Sequence, residues 1–138
     1  MDKWQAQHYF WSSFGVNAYE EHSVPDDRKK TDYPRITYEA ATSTFENIVS
    51  ITASIWTRST SWAAADGIAN AIEFYIKNQG RKVTINSKEV AIPECIPIDG
   101  GYLRVFIGDT TFAQRMDDPE DDQIKRIIVN VQFEFMTD

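Results

Sequence analysis

The chain has 138 residues, of which 42% are hydrophobic, 13% aromatic and 25% charged, enough for one domain of ordinary size with a packed core. Its 14 basic and 21 acidic side chains give a net charge of −7, which argues against tight binding to a nucleic-acid backbone, since that requires a basic stripe to release counterions. Negative mean hydropathy and the lack of an apolar run near 18 residues exclude a transmembrane helix, no basic-then-apolar leader opens the chain, and a single cysteine, Cys95, excludes an internal disulfide.

Lys3 to Phe14 reads as a first helix ending at Gly15. It is rich in rings, with Trp4, His8 and Trp11 on one stripe and Tyr9 and Phe10 beside them. Such a face either docks the helix on a sheet or remains for a partner subunit. Asn17 to Thr31 shows no apolar period and carries Glu20-Glu21, Asp26-Asp27 and Arg28-Lys29-Lys30. It is expected to be a long polar loop that projects outward.

Tyr33-Pro34 opens a strand in which Ile36, Tyr38 and Ala40 alternate with Arg35, Thr37 and Glu39. A turn over Thr42 to Asn47 then makes a hairpin with the next strand. That strand, Val49 to Arg58, has apolar Val49, Ile51, Ala53 and Ile55 at every second position. Ser59-Thr60-Ser61 follows, three hydroxyls suited to capping a helix N-terminus. From Trp62 the period becomes helical, with Ala65, Ile68, Ala69, Ile72 and Ile76 on one face, up to a left-handed cap at Gly80.

Lys82 to Asn86 is a short strand, Ser87-Lys88-Glu89 a turn, and Val90 to Ile92 a return. Pro93 and Pro97 bracket a piece around Cys95 that is irregular or at a sheet edge, with Cys95 read as a small, partly buried side chain. Gly101 to Ile107 is a strand with bulk on both faces, expected to lie mid-sheet or between the sheet and a partner. Gly108 to Gln123 is expected to be a second long loop, and Ile124 to Phe135 a long final strand. The whole is a single α+β domain, 1–138, with a mostly antiparallel sheet of four to five strands and two helices packed on it.

No zinc-binding, phosphate-loop, dinucleotide-binding or nucleophile-elbow motif occurs, and His8 and His22 belong to no metal spacing. No catalytic, cofactor-binding or metal-binding residues are therefore assigned, and the chain reads as a non-enzyme. The run Asp117-Asp118-Pro119-Glu120-Asp121-Asp122 places five carboxylates in six residues. It could attract a hard cation or a basic partner, but it fails the spacing of a calcium loop, and a solvated loop tip is the simpler reading. Arg115 before it and Lys125-Arg126 after it could cap it or pair with a neighbour.

In the order and texture of these elements the chain resembles the small tail-terminator and tail-completion proteins at the neck of long-tailed bacteriophages. The stretches that carry the resemblance are the N-terminal helix, Tyr33-Pro34-Arg35-Ile36-Thr37-Tyr38, and the Ile51–Arg58 strand running through Ser59-Thr60-Ser61-Trp62 into a helix. Gly100 to Val105, and Phe112 to Asp118 before the last strand, complete it. The resemblance implies a structural virion protein without catalysis or cofactor. Such a protein forms a homo-oligomeric ring, usually of six subunits, that terminates the tail tube and joins it to the head. Its implied partners are itself, the tail-tube protein and a head-completion or connector protein, with DNA passing through unbound and no membrane involved. Its place would be the tail and neck of the virion, and the host cytoplasm during assembly.

The alternatives are a small acidic module that binds or inhibits a basic protein, or another neck protein involved in head completion. Residues expected at a subunit or partner interface are Trp4, Trp11, Arg28, Lys29, Arg115, Asp117, Asp118, Glu120, Asp121 and Asp122.

Overall fold

The computed structural model describes residues 1–26, 31–41, 47–108 and 111–137. Helix α1 spans Lys3–Trp11 and begins with a reciprocal cap: Asp2 accepts from the Gln5 main chain at 2.8 Å, and the Gln5 side chain accepts from the Asp2 N–H at 2.9 Å. A 3-10 turn, Ser12–Phe14, follows and ends at Gly15, whose φ of 79° favours a residue without Cβ. Strands β1 (Asn17–Glu20), β2 (Arg35–Tyr38) and β3 (Ile48–Arg58) precede helix α2 (Ala63–Lys77). Then come β4 (Lys82–Ile85), β5 (Lys88–Ala91), β6 (Ile96–Ile98), β7 (Gly101–Phe106), β8 (Ala113–Asp117) and β9 (Ile124–Thr137).

Seven of these nine strands form one sheet in the order β1-β2-β3-β9-β7-β6, with β8 also paired to β9. The expected sheet of four to five mostly antiparallel strands is thus corrected: the sheet is larger and mixed, because β1 runs parallel to β2. Three further strands join the sheet: Ile96–Ile98 pairs with β7 at one edge, and two segments expected to be loops supply the others. Asn17–Glu20 pairs with Arg35–Tyr38 residue for residue, and Ala113–Asp117 pairs with Lys125–Val129. Neither shows an apolar period, since only Ala18 of β1 is buried and no residue of β8 is. Their main-chain groups are satisfied by the neighbouring strand, and that requirement is independent of side-chain type. The turn expected over Thr42–Asn47 lies, except for Asn47, outside the described residues.

The long pair β3–β9 is the spine, in register from Ile48 opposite Glu134 to Arg58 opposite Ile124. Alternation puts Ile51, Ala53 and Ile55 on the same face as Ile127, Val129, Val131, Phe133 and Phe135, and all eight are buried. Both helices lie on this face. Phe10 packs edge-on against Phe133 at 6.0 Å, and α2 contributes Ala65, Ala69, Ile72 and Ile76. The opposite face carries Ser50, Thr52, Ser54 and Trp56 from β3 beside Gln132, Asn130, Ile128 and Arg126 from β9. No helix covers it among the described residues, and it is held by polar ties such as Thr52 Oγ1 to Asn130 at 3.1 Å and Trp56 Nε1 to Thr37 at 2.9 Å.

The hydroxyl corner caps α2 in relay. Ser59 Oγ accepts from Ser61 N, and Ser61 Oγ accepts from Ala63 N, both at 3.1 Å. Trp62 itself occupies the cap position. Helix α2 ends at Lys77 with Asn78 at φ −110° as its cap, so the left-handed cap expected at Gly80 is corrected: Gly80, φ 78°, turns the chain beyond the cap.

Strands β4 and β5 form a separate hairpin. Its two-residue turn is Asn86-Ser87, with φ 50° and 63°, one position earlier than the sequence suggested, and Lys88 and Glu89 belong to β5. Positive φ at both central residues defines the turn whose twist suits a tight hairpin, and it favours glycine at the second position. Ser87→Gly is therefore expected to raise stability by up to about 1 kcal/mol by removing the Cβ clash, read as a higher urea midpoint at unchanged slope.

Candidate assembly surface

The described residues contain no group of three or more His, Cys, Asp or Glu placed to hold a metal ion. The feature that stands out is apolar instead. The outer side of α1, the Ser12–Phe14 turn, the outer side of α2 and the β4–β5 hairpin together enclose an open groove of about 700 Å³. Tyr9, Phe14, Phe74, Tyr75, Ile85 and Val90 form its apolar lining, with Ile92 and Pro93 at the base of the hairpin.

Each wall follows from local packing. Phe10 points inward and meets Phe14 at 5.4 Å and Tyr75 at 5.7 Å, fixing the turn against α2. Tyr75 meets Phe14 edge-on at 5.7 Å. Ile72 and Ile76 take α2's inner face, so Phe74, which falls between them, must face out. The hairpin has too few neighbours to bury its own apolar residues, and Ile85 and Val90 remain exposed.

None of the twelve lining residues carries a charge at neutral pH. Burial pushes the Tyr75 phenol above its ordinary value, with the Tyr9 phenol adding to the shift, so this ring stays neutral well beyond neutrality. A second, shallower groove lined by Met1, Trp4, Gln5, His8 and Ser12 shares Tyr9 with the first. The apolar surface therefore continues along α1.

The interface residues expected from sequence distribute unevenly over this arrangement. Trp4 is 50% exposed and sits on the α1 extension of the surface. Trp11 does not join it: at 0% exposure it belongs to the core, stacked on Tyr38 at 6.1 Å and edge-on to Phe10 at 4.8 Å. The stripe that faces the sheet is Ala6, Gln7, Phe10 and Trp11, not Trp4, His8 and Trp11. His8 lies outside that stripe and reaches the Tyr38 hydroxyl through Nδ1 at 3.2 Å. Arg28 and Lys29 lie outside the described residues.

The acidic run extends from the last residue of β8 into the turn before β9, beside the end of β3 and the start of α2. Asp118 Oδ1 accepts from the main chain of Glu120 at 2.8 Å and of Asp121 at 3.3 Å, and Asp121 Oδ1 accepts from Gln123 N at 2.9 Å. Arg58 at the end of β3 pairs with Asp121 at 3.1 Å. The Lys125 ammonium donates to the carbonyl of Asp122. Asp118 and Asp121 thus serve the turn, while Asp117, Glu120 and Asp122 are exposed at its surface.

Arg115 faces α2: its guanidinium pairs with Asp66 at 2.6 Å and lies over the Trp62 ring at 5.0 Å. Lys125 lies over the same ring at 5.5 Å. This exposed clasp ties β8 to α2 within one molecule. Arg115→Ala should cost no more than about 1 kcal/mol in a urea titration, as exposed pairs do, and should leave any assembly of the chain unchanged. Loss of assembly at native stability would instead make Arg115 an interface residue.

The sequence offered the ring-rich helix from Lys3 to Phe14, Tyr9 included, as a possible partner face, but it did not single out Phe74, Tyr75, Ile85 and Val90. The available signal was Phe74, a large apolar residue on the outward side of an amphipathic helix. No protein-family model matches the chain, and none of the curated proteins compared with it matches either.

Proposed function

We propose that this chain is a structural protein of the head–tail neck of a long-tailed bacteriophage, assembling into a ring that ends the tail tube and joins it to the head. The order of elements, from the N-terminal helix through the β3–α2 unit to the long last strand, supports the reading through the resemblance described above. The single observation that carries it is the uncharged groove between α1, α2 and the hairpin. A chain with net charge −7 repels its copies over most of its surface. Association is cheapest where no like charges meet, and a contiguous apolar patch is where water is most favourably released. An acidic ring would also let DNA pass without adhering.

The test is negative-stain imaging and native mass spectrometry of the purified chain, alone and mixed with tubes of the tail-tube protein from the same phage. Closed rings, or tubes capped at one end, are expected. A chain that stays monomeric and never joins a tube overturns the reading.

A further inference from the structure

The exposed large hydrophobic residues divide by face. Among the described residues they are Met1, Trp4, Tyr9, Phe74, Ile85 and Val90, which line the two adjoining grooves on the helix side, and Ile48, Tyr102 and Met116. The last three all point to the uncovered face of the sheet. Ile48 is opposite Glu134, Tyr102 opposite Met136, and Met116 opposite Arg126, whereas the buried residues Val131, Phe133 and Phe135 point the other way.

Ile48 and Tyr102 flank β9 from its two sides near its C-terminal end. The charges between them are balanced, since Glu134 sits directly across from Arg104, and the Arg104 guanidinium lies over the Phe106 ring at 5.7 Å. The molecule therefore carries two patches poor in net charge, one on each side of a single sheet.

We propose that the occupant of the α1–α2–hairpin groove is the uncovered sheet face of a second copy of this chain, centred on Ile48 and Tyr102. Two different patches that meet head to tail leave a free groove on one end of any open chain and a free sheet face on the other, so growth continues past the dimer and ends in a ring when the rotation between neighbouring copies closes, as the ring reading requires. A groove-to-groove dimer would instead stop at two and leave Ile48 and Tyr102 in water. The contact brings together no net like charge, which a chain of −7 requires of any close self-association. This inference rests on the ring reading and names the contact that reading leaves open.

The experiment uses two single variants, Phe74→Asp in the groove and Tyr102→Asp on the sheet face. Both positions are partly exposed, so circular dichroism should match the parent and the stability cost, read by urea, should be about 1 kcal/mol or less, with assembly compared under conditions where all three proteins are folded. Sedimentation velocity follows assembly of the full chain as salt is raised. Raising ionic strength from 0.1 to 1 M shortens the screening length from about 10 to about 3 Å, so self-association of the parent should strengthen. Each variant alone should associate about 30-fold or more weakly than the parent, as a charge placed in a central contact does.

An equimolar mixture of the two should give heterodimers and nothing larger, because each supplies the patch the other lacks. If Tyr102→Asp assembles like the parent while Phe74→Asp does not, the groove pairs with something other than this face, and the proposal falls while the ring reading stands. If both variants still form rings or cap tubes, the contact lies elsewhere, with the same consequence. If the parent neither self-associates in high salt nor caps tubes, both proposals fall together.

Discussion

Trp11→Ala should destabilise the protein by about 3–5 kcal/mol, the range for deleting a fully buried large aromatic. The side chain has no exposure and sits where α1 meets the sheet, stacked on Tyr38 and tilted against Phe133 at 6.2 Å. Its removal opens a cavity between β2, β9 and the helix, and the long β3–β9 ladder resists the collapse that would fill it. Against a total of about 5–15 kcal/mol for an ordinary domain, that loss is enough to unfold a large part of the population near physiological temperature.

Trp11→Phe separates volume from polarity. The Trp11 indole N–H is buried and meets no acceptor among the described residues. Phenylalanine keeps most of the ring and removes that orphan donor, so its cost should be no more than about 1–2 kcal/mol. Trp4→Ala should change stability by about 0.5 kcal/mol or less, its side chain being half in water. The three values from urea denaturation test whether Trp11 is core and Trp4 surface. A Trp11→Ala protein as stable as Trp4→Ala would contradict the packing of α1.

Gln7→Leu is the second large effect expected, about 2–5 kcal/mol from two stranded backbone groups. Gln7 is fully buried and clamps the chain beyond β2. Its Oε1 accepts from Ala41 N at 2.6 Å, and its Nε2 donates to Ala41 O at 3.1 Å and to Lys3 O at 3.2 Å. Ala41 is only 3% exposed, so water cannot replace those bonds at no cost. Leucine fits the volume and makes none of these three bonds, leaving both Ala41 main-chain groups without the Gln7 side chain.

Gln7→Glu adds a sign that identifies the mechanism. An ionised carboxylate can still accept from Ala41 N but repels Ala41 O, and its burial favours the neutral form, raising its folded pKa above the unfolded value near 4.3. Its deficit should therefore be largest at neutral pH. It should shrink as pH falls through the folded pKa toward the unfolded one, because a protonated carboxyl can both donate and accept. A Gln7→Leu deficit independent of pH, beside a Gln7→Glu deficit that acid relieves, would establish the two-bond clamp. A loss below about 0.5 kcal/mol for Gln7→Leu would refute it.

The same two residues show how far the sequence could be read. Gln7 gives no signal in isolation, since a glutamine in a helix is ordinarily solvated, and only the fold brings Ala41, 34 residues away, within reach of it. Helix α1 carries rings on several sides, at Trp4, Tyr9, Phe10 and Trp11, so its period does not say which stripe is inward. Tyr38 and Phe133 choose Trp11 by presenting a flat apolar site at that height of the sheet.

What the sequence by itself determined is local and periodic. Every second residue from Val49 to Ile55 and from Ile127 to Phe135 is apolar, and burial of one face of each strand follows from that alternation. Likewise the three- and four-residue spacing from Ala65 to Ile76 suffices for an amphipathic helix, although its end falls at Lys77, capped by Asn78 rather than Gly80. Tertiary structure alone decided the rest. Strands β1 and β8 exist because β2 and β9 offer unpaired main-chain groups, a demand that Asn17–Glu20 and Ala113–Asp117 meet without an apolar pattern. The groove exists because α1, α2 and a hairpin too small to bury itself converge on one side. Residues far apart in the chain, each an unremarkable exposed ring or aliphatic, become a surface only when the backbone brings them together.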